Sequence, residues 1–426
     1  MMKIAVILLS LCLCFPKLDL AQDTVFARSI VNTLASDEYN GRGYVKNGCN
    51  RAGEFIASEF EKTQLTQGNN DSYFQPFTFP VNTFPGKMAV AINKHILHPG
   101  ADYIVSPSCA SIKGRYSVIT IDTGNFRTLP SVSGKIVLID TSGSLGTMSK
   151  DFIKNIINDK NGAKGFIFIE EKKLTWSVAN AQSAPVLHVL RAAIPENPTT
   201  ISINIKAALI TYKANNIIGI IPGTLYPDSF LVITAHYDHL GMMGKKTIFP
   251  GANDNASGTA MLLTMAKYFR DINHSLPYSI AFIAFAGEEA GLLGSYYYSE
   301  SPTIPLSKIK FLLNVDLMGT GDEGMMVVNG SVFENEFNII DNINNTNHLL
   351  PKIGKRGKAH NSDHYYFTEK NVPSFFCYTL GGRTAYHDIY DIASTLPLTK
   401  FSEVFILLKS FIEIKGTLTS TLHPIK

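Results

Sequence analysis

Charge and cysteine are both scarce in this 426-residue chain. Only 17% of residues are Asp, Glu, Lys or Arg, and 38 basic against 35 acidic side chains leave a formal charge of +3. With no basic run anywhere, that balance argues against a nucleic-acid or anionic-membrane partner. Five cysteines without a CxxC spacing exclude a disulfide framework. Internal repeats and low-complexity tracts are missing too. Past the N-terminus, no apolar stretch reaches the length of a membrane-spanning helix. What is plentiful is apolar side chain, 45% of the sequence, enough for two to three domains with sizeable cores.

Lys3 precedes an apolar run from Ile4 to Phe15 that is too short to cross a bilayer. It reads as a signal-peptide core with cleavage near Ala21–Gln22, which makes residues 1–21 a leader and predicts a periplasmic or extracellular protein. Cys49, Cys109 and Cys377 then remain, enough for at most one disulfide.

Three zones follow. Residues 22–95 begin with helical patterns at Thr24–Ser36 and Arg51–Thr63, separated by the glycine-rich turn Tyr39-Asn-Gly-Arg-Gly-Tyr. Residues 96–210 carry short β-rich runs (Tyr116–Ile121, Lys135–Ile139, Gly165–Ile169, Ala184–Leu190, Thr200–Ile205), one helix near Lys150–Asn161, and no cluster of His with acidic residues. From 211 to 426, apolar strands at Leu231–Tyr237, Tyr278–Ala286 and Ile309–Leu317 alternate with helices at Ser257–Arg270 and Ala290–Ser299. This pattern predicts an α/β fold: a mixed, mostly parallel central sheet flanked by helices, with an inserted small β-rich domain.

Five strings in the last zone carry chemistry. Ala235-His-Tyr-Asp-His-Leu-Gly241 closes the first strand, and a period of two would put His236 and Asp238 on one face, an imidazole backed by a carboxylate. Pro250-Gly-Ala-Asn-Asp-Asn-Ala-Ser-Gly258 leads into a helix; Asp254, Asn255 or Ser257 could cap it, and Asp254 could equally face a metal. The string also contains a formal glycosylation sequon, Asn255-Ala-Ser257. Gly287-Glu288-Glu289 ends a buried strand, where adjacent carboxylates need a positive partner; one Glu can bind metal while the other serves as general base. Asp316 closes the strand of Asn314-Val-Asp-Leu-Met-Gly319, and His387 sits in Tyr386-His-Asp-Ile-Tyr-Asp391, near the start of an expected helix.

Together, His236, Asp254, Glu289, Asp316 and His387 supply two imidazoles and three carboxylates, most at strand ends, where ligands converge in an open α/β sheet. That set suits two divalent ions sharing a carboxylate, about 3.5–4 Å apart. The absence of thiolate points to two Zn²⁺, with Co²⁺ or Mn²⁺ as substitutes.

In this order, the strings resemble the co-catalytic zinc aminopeptidases of metallopeptidase family twenty-eight. That group includes bacterial leucyl aminopeptidases and aminopeptidases S and Y, with glutamate carboxypeptidase II and glutaminyl cyclase among its relatives. The resemblance covers roughly residues 230–395, with a looser likeness over Leu34–Phe60. It implies His236 and Asp316 on one zinc, Glu289 and His387 on the other, and Asp254 bridging. It implies Glu288 as general base and acid toward a metal-bridging water, and Tyr386 stabilising the tetrahedral intermediate. Asp238 is expected behind His236, and Asp363 in a supporting role. Residues 96–210 resemble a protease-associated (PA) domain, with Ala184–Leu190 as its closing strand and His188 structural.

The implied substrates are peptides with a free N-terminus, whose α-ammonium the site carboxylates can hold. Three alternatives share the fold: a carboxypeptidase of the glutamate type, which would need an arginine-rich pocket, a glutaminyl cyclase, and a binding module without activity.

Overall fold

The computed structural model describes residues 18–122, 131–140, 162–271 and 274–417. The apolar run of residues 4–15 and the helix expected near 150–161 lie outside them.

Nine strands form the larger sheet: β1 (Thr66–Gln67), β2 (Phe74–Thr83), β11 (Ala208–Ile221), β12 (Tyr226–His236), β15 (Tyr278–Phe285), β16 (Ile309–Asp316), β17 (Gly324–Val328), β18 (Ile353–Lys355) and β19 (Ser374–Leu380). At its centre β15, β12, β16 and β19 lie side by side and parallel. Antiparallel β11 flanks them on one side and β17 on the other. The central strands are mostly apolar because both faces are covered, and the buried Thr234 and Asn314 side chains satisfy each other through a 2.7 Å hydrogen bond. Leu231, Ile233 and Ala235 pack with the helices Leu18–Leu34, Gly258–Arg270 and Phe401–Thr417. Val232 between them faces Tyr298 and Phe367 of the helices Leu293–Glu300 and His364–Glu369. Phe311 locks one face, its ring centroid 4.9 Å from that of Phe375 and 5.3 Å from that of Phe411.

Among the described residues, eight strands form the second sheet: β3 (Met88–Ile92), β4 (His95–Leu97), β5 (Tyr103–Val105), β6 (Ile112–Ile121), β7 (Ile136–Ile139), β8 (Gly165–Glu170), β9 (Val186–Leu190) and β10 (Thr200–Ile205). The chain enters along β2 and leaves along β11, which pair antiparallel from Phe74–Ile217 to Thr83–Ala208. The boundary expected at residue 96 falls too late. β3 and β4 belong to this sheet because Met88–Ile92 pairs residue by residue with Ile201–Ile205.

The two sheets are not separated by a polar seam. Phe84 and Trp176 share one apolar cluster with Leu240, Met243 and Phe249, which lie in and beside the hairpin β13 (Gly241–Met243) and β14 (Thr247–Phe249) just after His236. His188 pairs with Glu170 at 2.7 Å and stacks on Phe168 within the smaller sheet.

Cys49, Cys109 and Cys377 are all free and buried, so no disulfide joins them. Burial raises the pKa of each thiol, that of Cys109 to about 11. A chain beginning at Gln22 is therefore expected to give no reaction with a thiol reagent at pH 8 while folded. In denaturant it should release three thiols per chain; a fast native signal would contradict the packing.

Candidate metal centre

Because β12 lies between β15 and β16, parallel to both, the three strands end at one edge. His236 is the last residue of β12 and Asp316 the last of β16, while Glu288 and Glu289 are the third and fourth residues after the end of β15. Asp254 arrives from the loop before the helix Gly258–Arg270, and His387 from the loop after β19. Asp254 stands at the middle. Its Oδ1 is 3.5 Å from His236 Nε2, and its Oδ2 is 3.0 Å from His387 Nε2. His236 Nε2 is also 3.4 Å from Asp316 Oδ2, and His387 Nε2 is 3.3 Å from Glu289 Oε2. The five residues singled out in the sequence thus form two half-sites that share one carboxylate.

Six carboxylates crowd this edge: Asp238, Asp254, Glu288, Glu289, Asp316 and Asp363. Burial raises the pKa of Glu288 well above the carboxylate range, and Glu289 beside it adds to the effect against His236. Glu289 goes the other way: burial is outweighed by His387 and His239, which hold it well below the usual value. Two neighbouring carboxyls are thereby pushed apart in proton affinity. Burial would lower the pKa of His387, but Glu289 and Asp254 outweigh it and raise the imidazole to about 11. Burial takes Asp363 up to about 7.

This donor set fits divalent ions. Nitrogen and oxygen ligand atoms of His236, Asp254 and Asp316 lie within 4.8 Å of one another, as do those of His239, Asp254 and Glu289. Asp316 Oδ1, His239 Nε2 and both oxygens of Asp363 are buried without a hydrogen-bond partner. Such a concentration of buried anions requires compensating positive charge.

Three residues that sequence reasoning passed over shape the centre. Arg42, completely buried between two glycines, uses all five of its donors on carbonyl oxygens. Nε donates to Tyr237 (2.8 Å), Nη1 to Leu34 (3.0 Å) and Pro250 (2.7 Å), and Nη2 to Gly251 (2.7 Å) and Asp254 (3.1 Å). A Cβ on Gly41 would stand 2.3 Å from the Phe249 carbonyl oxygen, and one on Gly43 2.3 Å from Gly241 Cα, so only glycines let the chain deliver Arg42 here. Burial lowers its pKa to about 10, leaving it charged at neutral pH. His239, fully buried, sits with Nδ1 2.7 Å from Glu289 Oε1. Asp391 accepts the N–H groups of Asn253 (2.9 Å) and Asp254 (3.0 Å).

The loop of residues 250–258 is stitched to the end of β16. Asn253 Oδ1, Asn255 Oδ1 and Ser257 Oγ accept the N–H groups of Gly319, Leu317 and Met318. Asn255 Oδ1 also accepts Gly258 N–H at 2.8 Å. Of the three candidate caps, Asn255 therefore holds the helix start and Asp254 is left for the site. Asn255 is fully buried, which removes the sequon as a glycosylation site.

Two expectations are corrected. β12 ends at His236, so the period of two does not carry to Asp238. His236 Nδ1 lies 3.2 Å from the Asp238 carbonyl oxygen and only 4.0 Å from its carboxylate. That carboxylate instead accepts the N–H groups of Glu288 (3.1 Å) and Glu289 (3.3 Å) and the Tyr44 hydroxyl (2.6 Å). His387 does not begin a helix. It has φ 54°, in a turn where Asp388 accepts the N–H groups of Tyr386 and Tyr390. Tyr386 lies half-exposed with its ring stacked on His387 at 4.0 Å.

Replacing Arg42 by Lys keeps the charge but cannot reach five carbonyls. Arg42→Lys is expected to cost about 2–5 kcal/mol of stability from lost charged hydrogen bonds and orphaned carbonyls. A thermal midpoint within 2 °C of wild type (a shift that would correspond to roughly 1 kcal/mol or less) would contradict this.

Residues 216–412 match peptidase family M28. Aminopeptidase YwaD of Bacillus subtilis is 28% identical over 256 residues, covering 55% of this chain and 53% of its own length. A probable zinc metalloprotease of Pyricularia oryzae is 34% identical over 116 residues, 26% of this chain and 23% of its own. The chain thus spans about half the length of the first of these relatives and less of the second. Among solved structures, a peptidase M28 precursor from Shewanella amazonensis superposes with a TM-score of 0.70 at 16% identity, over 96% of this chain and 97% of the other. The zinc aminopeptidase of Bacillus subtilis does so at 0.68 and 21% identity, over 91% and 94%. At such identities these superpositions speak for the fold, both sheets included. The match to peptidase family M28 takes in residues 216–412, the part of the chain that holds His236, Asp254, Glu289, Asp316 and His387.

Proposed function

We propose that the protein is a zinc-dependent exopeptidase that removes N-terminal residues from peptides, using two Zn²⁺ ions. The observation that carries the reading is the Asp254 carboxylate, which offers one oxygen to the His236–Asp316 pair and the other to the His387–Glu289 pair. The names of the matched relatives, aminopeptidase and probable zinc metalloprotease, support the same class. His236 and Asp316 would hold one ion, Glu289 and His387 the other, and Asp254 both. Bound zinc supplies Lewis-acid polarisation of the scissile carbonyl and a water acidic enough to lose its proton near neutral pH.

The chain's own groups account for the remaining steps. Asp238 fixes the backbone of Glu288 and Glu289 through their N–H groups, which would leave the Glu288 carboxylate for the attacking water and that of Glu289 for an ion. Glu288 takes the water's proton and returns it to the leaving amine. Burial and the surrounding carboxylates keep the Tyr386 hydroxyl protonated, able to donate to the carbonyl oxygen as negative charge builds there. Carboxylates of the site would hold the substrate's α-ammonium.

The carboxypeptidase reading would draw on Arg383 or Arg356, and both are engaged by neighbours among the described residues. Arg383 is engaged by Asp391 at 3.4 Å and by the carbonyl oxygens of Thr395 and Tyr390, and Arg356 donates to the Tyr378 hydroxyl at 3.0 Å. Within the same proposal, residues 1–21 direct export and the smaller sheet is a PA-like insert.

One peptide pool with free and N-acetylated termini, incubated with zinc-loaded and chelated protein and followed by mass spectrometry, tests the reading. Stepwise N-terminal loss is expected only from free-amine peptides with zinc. C-terminal trimming of both sets would replace it with the carboxypeptidase. Glu288→Ala is expected to keep both ions and lose about 10²–10⁴-fold in turnover; near wild-type hydrolysis would remove Glu288 from the mechanism.

A further inference from the structure

The two ring nitrogens of His387 serve different parts of the molecule. Nε2 faces Asp254 and Glu289. Nδ1 lies 2.9 Å from the carbonyl oxygen of Trp176, and the Trp176 N–H donates back to the His387 carbonyl oxygen, also at 2.9 Å. Trp176 belongs to the segment between β8 and β9, within the insert. Three residues earlier, Lys173 pairs with Asp388 at 3.0 Å and donates to the Thr384 carbonyl oxygen. A short arm of the insert thus grips the loop that carries His387, whose φ of 54° an unsupported histidine disfavours.

The arm is itself anchored. The Trp176 ring is buried, with its centroid 4.6 Å from that of Phe249 and 6.0 Å from that of Phe84, and its Nε1 donates to the Val105 carbonyl oxygen at 2.9 Å. A carbonyl acceptor on Nδ1 keeps the proton there and leaves Nε2 as the nitrogen available to a metal.

We propose that the insert is a working part of the metal centre: through Trp176 it holds His387 in place, and the His387–Glu289 half-site reaches full affinity for a divalent ion only with this arm docked. The proposal rests on the two-ion reading of the site and makes Trp176 a positioning residue. Trp176 is the chain's one tryptophan, so intrinsic emission reports directly on the contact.

The test is a zinc titration of the full chain against a competing chelator, on wild type, Trp176→Ala, Trp176→Phe and Lys173→Met, with tryptophan emission followed in parallel for wild type and Lys173→Met, which keep the indole. Wild type is expected to bind two ions, with emission changing as the weaker one is filled. Trp176→Ala should bind one ion as wild type does and the other about 10–100-fold more weakly. Trp176→Phe, which keeps a ring against Phe249 and Phe84, should recover most of the loss. Lys173→Met loses only the outer grip and should weaken the same ion a few-fold, which keeps the test valid should Trp176→Ala fail to fold. Two ions held with unchanged affinity by folded Trp176→Ala or, failing that, by Lys173→Met would overturn the clamp alone, as would equal weakening of both ions. A wild type that binds fewer than two ions would overturn the two-ion reading, and the clamp with it.

Discussion

Burying negative charge is the constraint on which this structure turns. Six carboxylates meet at the carboxyl edge of β12, β15 and β16, and each acquires a specific partner or is left facing the centre. Asp238 takes two backbone N–H groups and a tyrosine hydroxyl. Asp391, just behind, takes two more N–H groups. Glu289 takes His239, and Asp254 divides its oxygens between two imidazoles. What this network leaves unmatched, notably Asp316 Oδ1 and the Asp363 carboxylate, lies at the centre itself. Isolated buried carboxylates of this kind are costly, and cations offset that cost most directly.

The same constraint explains why distant segments are recruited. The 250–258 loop presents polar groups inward and would not hold its shape alone. Arg42 and Tyr44, from the first helical zone, bind its carbonyls and the carboxylate behind the Glu pair. Asn253, Asn255 and Ser257 fasten the loop to the end of β16, which sets Asp254 beside Asp316. The smaller sheet touches the loop of His387 through Trp176 and Lys173. N-terminal segment, central sheet and insert therefore meet at the residues that carry the charge.

Much of this was legible because the informative residues are chemically out of place. A histidine, an aspartate and two glutamates at the ends of otherwise apolar strands have few structural reasons to be there, and parallel strand order brings them together. The covered sheet was legible from near-continuous apolar runs such as Leu231–Ala235, interrupted by Thr234 alone, and Ile280–Phe285. What escaped depends on tertiary contact. Arg42 reads locally as part of a glycine-rich turn, since nothing in Gly41-Arg42-Gly43 reveals four carbonyls 195–212 residues away and a fifth in Leu34. His239 shares its string with His236, but the chain leaves the strand between them, so strand periodicity could not assign it. The boundary of the insert was missed because β3 and β4 declare their sheet only through pairing with β10. His387 looked like a helix start, whereas the Asp388 side chain forms a turn instead.

The central claim is that Asp254 is shared by two metal ions. Crystals grown with zinc, with diffraction recorded on both sides of the zinc absorption edge, test it most directly. The account predicts two anomalous peaks, one beside His236 and Asp316 and one beside His387 and Glu289, with the Asp254 carboxylate between them. A single peak, or peaks away from Asp254, would contradict it.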